Sequence, residues 1–321
     1  MLKLNNKFFA LILLALSSFI IIGCADDDET TPTAPEGKSI TTLASENSDL
    51  SILVEALKLA GLDGTLNSSG TYTVFAPTNA AFQALLDGNP AWNSLNDIPA
   101  DLLRNVLLFH VLNAEVMAAD LSNTYVNTLA VGPNDENVSL QVSTTGGVMF
   151  NGSSKPITTD IEASNGVIHK VDKVMLPPNI VTLALNNPNF SILVSALTDG
   201  RHEADFVAIL NAAGPYTVFA PTNAAFEALL ATNPSWNSLG DIPIETLAAV
   251  LSYHVLAGAN VQSDQLTNNQ EITMFSGGKV TVDLSNGAKL KTSSNQTVNI
   301  SVVDVQGTNG VIHSIDSVLL P

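Results

Sequence analysis

The sequence predicts two tandem α+β domains, and three observations predict it. The first is internal repetition. Tyr72 to Phe82 reads "YTVFAPTNAAF", and the same residues recur from Tyr216 to Phe226, 144 positions later. At that same offset, "NPAWNSLNDIP" from Asn89 pairs with "NPSWNSLGDIP" from Asn233, and "FHVL" from Phe109 with "YHVL" from Tyr253. "NGVIHKVDKVMLP" from Asn165 likewise pairs with "NGVIHSIDSVLLP" from Asn309. Solenoid units repeat every 20–50 residues or so, which makes this much longer repeat a domain. The second is length: 321 residues exceed one ordinary core and suit two domains of about 150. The third is order within each copy, helical periodicity first and short strands afterwards, with no regular β-α-β alternation.

The first copy reads as follows. Leu50 to Ala60 carries apolar residues at helical spacing, with Ser48 or Asp49 as cap candidates. Tyr72 to Phe75 is rich in strand formers and stops at Ala76-Pro77. Thr78 or Asn79 then caps a helix with Phe82, Leu85 and Leu86 on one side. Asp97-Ile98-Pro99 starts another helix, which Leu102, Leu103, Val106 and Leu107 continue toward Phe109. From about Val126 the pattern turns to strands broken by Gly and Asn: 138–142, 148–150, 157–161 and 167–176. "SILV" at Ser51 and at Ser191 slips out of the common offset, so the second copy carries four extra residues before Tyr216. Two prolines in "LPPNI" mark the boundary, which places the domains at 39–178 and 179–321. So short a linker predicts domains that touch or are stiffly oriented.

Ahead of the domains, Lys3 and Lys7 precede an apolar run from Phe8 to Ile22, then Gly23 and Cys24. An apolar core of about 15 residues suits a signal peptide (1–23) better than a spanning helix of about 20, the alternative being an uncleaved anchor. "IIGC" resembles a bacterial lipobox, although the usual motif prefers Leu where Ile21 stands. Cys24 is the single cysteine of the chain and the expected lipid acceptor, so no internal disulfide can form. Residues 24–38, "CADDDETTPTAPEGK", read as an acidic, solvated tether. Its run of acids lacks the turn-making Gly of a calcium loop. Acidic stretches at this place also resemble surface-export signals of some Gram-negative lipoproteins. The expected location is the bacterial cell envelope, lipid-anchored at the outer membrane and surface-exposed.

A formal net charge of -18 excludes the usual nucleic-acid partner, because phosphate binding needs clustered Lys and Arg. It also disfavours electrostatic docking on anionic lipid, which leaves the lipid anchor as the membrane attachment.

"TVFAPTNAAF", then a helix ending in "[FY]HVL", then "NGVIHxxDxVLLP" closing the unit resembles the fasciclin domain, in both copies and in the family's order. The resemblance implies a compact wedge of strands packed with several helices. It also implies an extracellular or cell-surface protein with a role in adhesion and matrix contacts, from a family not known as enzymes.

The residues themselves offer little chemistry. "GxSxG" and "HExxH" are absent, and the Gly-rich pieces lack phosphate-loop spacing. Asp172 and Asp316, beside the closing "VIH", read as structural acceptors rather than general bases. No enzyme, cofactor or metal site is expected. His110 pairs with His254 and His169 with His313 across the repeat, while His202 has no counterpart and defaults to solvent. Alternation places His169 on an inward face, bonded to backbone or hydroxyl.

Contact candidates remain. The resemblance links the Tyr-His region of animal relatives to integrin binding, which marks Phe109-His110 and Tyr253-His254. The alternative is that both dipeptides end a core helix and point inward. Asp97 and Asp241 lie in "NSLNDIP" and "NSLGDIP", either surface loops that meet a partner or plain caps. Trp92 and Trp236 precede them, placed for sugar stacking if exposed or for packing if not. The expected job is adhesion, with an extracellular protein or polysaccharide as partner. The alternative is capture of a glycan or small ligand.

Overall fold

A computed structural model describes residues 37–321. The expected signal peptide, Cys24 and nearly all of the expected tether lie outside the described residues.

The first domain opens with helices α1 (Ile40–Glu46) and α2 (Ser51–Leu59), then strand β1 (Tyr72–Pro77). Helices α3 (Asn79–Asp87) and α4 (Ala100–Phe109) follow, then strands β2 (Val111–Leu112), β3 (Thr124–Val131), β4 (Asn137–Ser143), β5 (Met149–Phe150), β6 (Pro156–Ala163) and β7 (Gly166–Val171). The sheet order is β5-β4-β3-β2-β1-β7-β6. β1 and β7, the first and last strands, pair in parallel from Tyr72–Gly166 to Pro77–Val171, and the other neighbours are antiparallel.

The second domain repeats this plan. It has helices α5 (Ile180–Asn186), α6 (Ser191–Leu197), α7 (Phe206–Asn211), α8 (Asn223–Ala231) and α9 (Ile244–Tyr253). Its strands are β8 (Tyr216–Pro221), β9 (Val255–Ala257), β10 (Glu271–Thr273), β11 (Lys279–Asp283), β12 (Lys289–Thr292), β13 (Thr297–Gly307) and β14 (Gly310–Ile315). They are ordered β10-β11-β12-β13-β14-β8-β9, with β14 parallel to β8.

Strand alternation splits each domain into two cores. Val74 and Ala76 of β1 face a helical core with Leu53, Leu57, Phe82, Leu103 and Ile168. Phe75, one residue between them, faces a strand core with Phe109, Leu140, Phe150 and Val171. In the second domain Val218 and Ala220 divide from Phe219 in the same way.

The repeated "YTVFAPTNAAF" is consumed by this joint. Thr73 Oγ1 donates to the Ala114 carbonyl at 2.6 Å and accepts from Val116 N at 2.9 Å. Thr78 caps α3 by accepting from Ala81 N, and Asn79 Oδ1 accepts from Ile52 N at 2.9 Å. The second copy repeats each bond through Thr217, Thr222 and Asn223. The "NG" of the closing motif is consumed too. Buried Asn165 accepts from Ile40 N at 2.9 Å and donates to the carbonyls of Leu66 and Ser68 at 2.8 and 3.0 Å. Asn309 does the same for Ile180, Leu210 and Ala212.

Several boundaries differ from the sequence reading. Asn47, not Ser48 or Asp49, caps the 3-10 turn that leads into α2, and α1 was not anticipated. β1 runs on through Pro77, whose missing N–H falls at the strand's end. The closing strand stops at Val171 instead of reaching Leu176, because the Met175 amide turns to His110 Nε2 at 2.9 Å.

The two domains touch. Ser139 Oγ accepts from Gln306 N at 3.0 Å, and Asn134 Nδ2 donates to the Asn260 carbonyl at 3.2 Å. Asn187 Nδ2 donates to the Tyr125 hydroxyl at 2.9 Å, while the Tyr125 ring packs on the second domain's helical core. Gln306 Oε1 also accepts from Asn260 and Gln262, at 3.0 and 2.6 Å, so this buried polar patch is paired. The matching positions of the first domain, Glu115, Met117 and Glu162, lack these amides.

A Cβ on Gly166 (φ +139) would lie 1.9 Å from the Tyr72 carbonyl oxygen, inside the β1–β7 pairing. Gly166→Ala is expected to lower the unfolding free energy by about 3 kcal/mol. Urea denaturation measures this; a loss below about 1 kcal/mol is the contrary result.

Candidate functional site

The dipeptides at the ends of α4 and α9 are inward-facing. Phe109 and Tyr253 have no exposed surface, and His110 and His254 are 2% exposed. As surface contact residues all four are corrected: their spacing puts them on the apolar side of a core helix. His110 Nδ1 sits 2.7 Å from the Val106 carbonyl, and its Nε2 lies 2.9 Å from the Met175 amide. A carbonyl only accepts and an amide only donates, so the ring is neutral with its proton on Nδ1. His254 repeats this with Val250 and Leu319, at 2.7 and 2.9 Å. Each ring therefore ties a helix end to the closing segment. Burial pushes both imidazoles down from 6.5 to about 4, against the opposing pull of the carbonyl bond. The extra hydroxyl of Tyr253 is absorbed by the Lys279 carbonyl, and its ring passes where a Cβ on Gly278 would stand 2.7 Å away.

The second histidine pair has an acidic neighbour that the sequence reading missed. His169 Nε2 donates to the Val116 carbonyl at 2.8 Å, and Nδ1 accepts from Asp160 N at 3.2 Å. Asp160 occupies a β-bulge in the left-handed region (φ 59), and its carboxylate accepts from Ala118 N at 2.8 Å. His313, Asp304 and Ser263 reproduce the cluster, with bonds of 2.9, 3.3 and 2.7 Å. The available signal was an Asp at the same 144-residue offset in otherwise different strands. Each His stacks on the Phe of the repeated motif, Phe75 or Phe219, and is fully buried. Asp172 and Asp316 are likewise occupied, accepting from the Lys155 and Asn299 amides at 2.7 and 3.0 Å. The polar groups at these positions are engaged in holding backbone. Among the described residues no group of three or more His, Cys, Asp or Glu is placed to hold a metal ion.

His202 is half-buried rather than solvated, edge-on to Phe206 with ring centres 4.9 Å apart. The four extra residues of the second copy fold this segment back on the domain.

What the repeat exposes is the loop between its third and fourth shared helices. Asp97 Oδ2 accepts from Asn93 N, Ser94 N and Ser94 Oγ at 2.8, 2.9 and 3.2 Å, closing a capping box around a 3-10 turn. Asp241 accepts from Asn237 N, Ser238 N and Ser238 Oγ at 2.9, 2.8 and 3.1 Å. These bonds, the Asn237 amide foremost, hold the Asp241 carboxyl below its usual range. Asn89 and Asn233 brace the preceding turns. Both aspartates are exposed, so the loop is fixed and still available. Trp92 and Trp236 are half-buried against their domains' helical cores, which leaves less face for a sugar than an exposed ring.

This geometry defines a tandem pair of α+β domains whose buried polar groups are structural and whose shared accessible feature is a rigid acidic loop. Residues 48–177 and 188–321 each match the fasciclin domain, and the chain belongs to that family. The chain is 36% identical over 143 residues to protein sll1735 of Synechocystis, covering 44% of this chain and 98% of that one. Transforming growth factor-beta-induced protein ig-h3 of Sus scrofa is 29% identical over 300 residues, 88% of this chain and 38% of that longer relative. Among solved structures, a FAS1 domain pair from the insect cell adhesion molecule fasciclin I superposes with a TM-score of 0.51 at 19% identity, over 86% of this chain and 98% of that one. The fold is the one the pair shares.

Because His110 and His254 are depressed, their stabilisation is complete above the unfolded value of 6.5 and is lost as pH falls toward 4. Each is expected to contribute roughly 3 kcal/mol to this loss. Imidazole NMR shifts should show both rings as neutral Nδ1–H tautomers at pH 5.5; a midpoint near 6.5 for either contradicts the assignment.

Proposed function

We propose that this chain is a lipid-anchored bacterial envelope protein that makes adhesive contacts through its tandem domains. The reading rests on one observation: the same braced, exposed acidic loop, with Asp97 in one copy and Asp241 in the other, occurs twice in one compact unit. Its resemblance to the domain pair of an insect cell adhesion molecule supports the same role. The partner is an extracellular protein or polysaccharide, and attachment to the membrane is through Cys24. Two modest contacts on one body raise avidity by about a hundredfold when both can engage at once. The polar groups described above are spent on backbone, so the activity is binding rather than catalysis.

Beads coated with the protein are expected to attach to cells or matrix of the source community. The double variant Asp97→Ala, Asp241→Ala should lose most of that attachment, with each lost cap costing about 1 kcal/mol of stability. Equal attachment by the folded double variant removes these loops from the contact.

Proteinase applied to intact cells is expected to shave the protein, and Cys24→Ala should release it from the membrane. A chain protected from proteinase on intact cells excludes an outside partner.

A further inference from the structure

The two copies differ at one place where the first carries an arginine and the second an alanine. In the first domain Arg104 reaches from α4, and its Nη1 donates to the carbonyl of Ala60, the residue that ends α2, at 2.9 Å. The corresponding residue of α9, 144 positions later, is Ala248. There the four-residue insertion changes the neighbouring wall. α6 stops at Leu197, and His202 Nε2 donates to the carbonyl of Ala196 at 2.9 Å.

Arg201 does not replace Arg104. Its Nε donates to Asp199 at 3.0 Å, and its Nη2 to Asp199 and the Leu239 carbonyl at 2.6 and 3.1 Å. Its Nη1 donates to the carbonyls of Gly240 and Ile242 at 3.0 and 3.3 Å. All five guanidinium N–H groups are thus spent on fastening the insertion to the Asp241 loop.

Between the insertion and α9 lies an open cleft of about 550 Å³, in the range of small-ligand sites. Its lining is mainly apolar, with two acidic residues and the already bonded Arg201 among the polar ones. Phe206, Ala248 and Phe275 supply apolar surface, and Glu203 and Glu245 supply carboxylates. Neither glutamate has an ion-pair partner among the described residues. Phe275 is 51% exposed, and its amide donates to the Val255 carbonyl at 2.7 Å, which anchors the backbone that presents the ring. His202, also in the lining, keeps a buried Nδ1 without a hydrogen-bond partner.

We propose that this cleft binds an arginine side chain presented by a partner polypeptide. The guanidinium enters beside Ala248, where the first copy carries Arg104, and is met by the carboxylates of Glu203 and Glu245. Its flat face matches the Phe275 ring, where a cation is attracted to the aromatic face. The acidic surface of the whole chain steers a cationic segment toward the site. The proposal deepens the contact role above by naming what one partner would offer, but the cleft can be tested without any cell.

The test is titration of the purified full chain with N-acetyl-arginine amide, followed by amide NMR, against the neutral isostere N-acetyl-citrulline amide. Saturable shifts at residues 244–252 and 275–276 are expected with the arginine probe, at about millimolar affinity, and roughly tenfold weaker with citrulline. Ala248→Arg fills the cleft and should abolish binding. The pair Glu203→Gln, Glu245→Gln, both exposed and free of structural bonds to side chains, should weaken it roughly tenfold while leaving the fold intact. Absence of saturable shifts, equal binding of citrulline, or undiminished binding by a folded Ala248→Arg protein each overturns the proposal. Peptide binding in a chain that fails the bead assay would retain the cleft and reject the adhesive role.

Discussion

Each domain depends on the parallel pairing of its first strand with its last. Joining Tyr72 to Gly166 closes a loop that contains most of the domain's strands and two of its helices, and such closure costs chain entropy before any contact repays it. The joint is correspondingly secured. β7 is buried on both faces, with Val167, Ile168, His169 and Val171 all at or near zero exposure. Asn165 ties the start of that strand to α1 and to the segment before β1. His169 ties its middle to the loop after β2, and His110 ties the segment after it to the end of α4. Asn–Gly and the histidines are the hardware of one seam.

That dependence explains what was legible. Residues on the seam cannot drift without opening it, so they recur in both copies, and comparing the copies was enough to find the domain, its order of helices and strands and its inward histidines. The absent signals have physical causes as well. α1 is seven residues long, too short for apolar periodicity to stand out. β1 was ended early because proline reads as a breaker, yet at a strand's last position it forfeits no needed donor. Asp160 escaped attention because its role depends on a bulge, and a bulge is a register event invisible in a single strand. The polar neighbours of His202 point to solvent, and only the fold of the insertion half-buries it against Phe206.

The same logic turns the most repeated motif into the poorest functional marker. Thr73, Phe75, Thr78, Asn79 and Phe82 are committed to caps, clamps and cores, and a partner reaches little of them. Phe109 against Tyr253 is a variation within a core, settled by a carbonyl at Lys279 and a glycine at 278. The loops of Asp97 and Asp241 are different: one carboxylate oxygen braces the turn while the residue remains exposed, so a single side chain both fixes the loop and charges it.

Divergence between copies then becomes the informative quantity. A duplicated domain begins with two equal faces, and each later difference either repairs packing or makes a new surface. Gln306 in place of Glu162, and Asn260 in place of Glu115, belong to the first class: they build the paired amide patch that docks the domains. Arg104 against Ala248 belongs to the second, because the alanine removes a side chain without another one moving in, and the adjacent insertion spends its own arginine elsewhere. A docked pair carries its two acidic loops in one orientation, so a partner that meets both loses little further freedom on the second contact. Divergence confined to one copy, on such a body, changes one surface without disturbing the seam that holds either domain together.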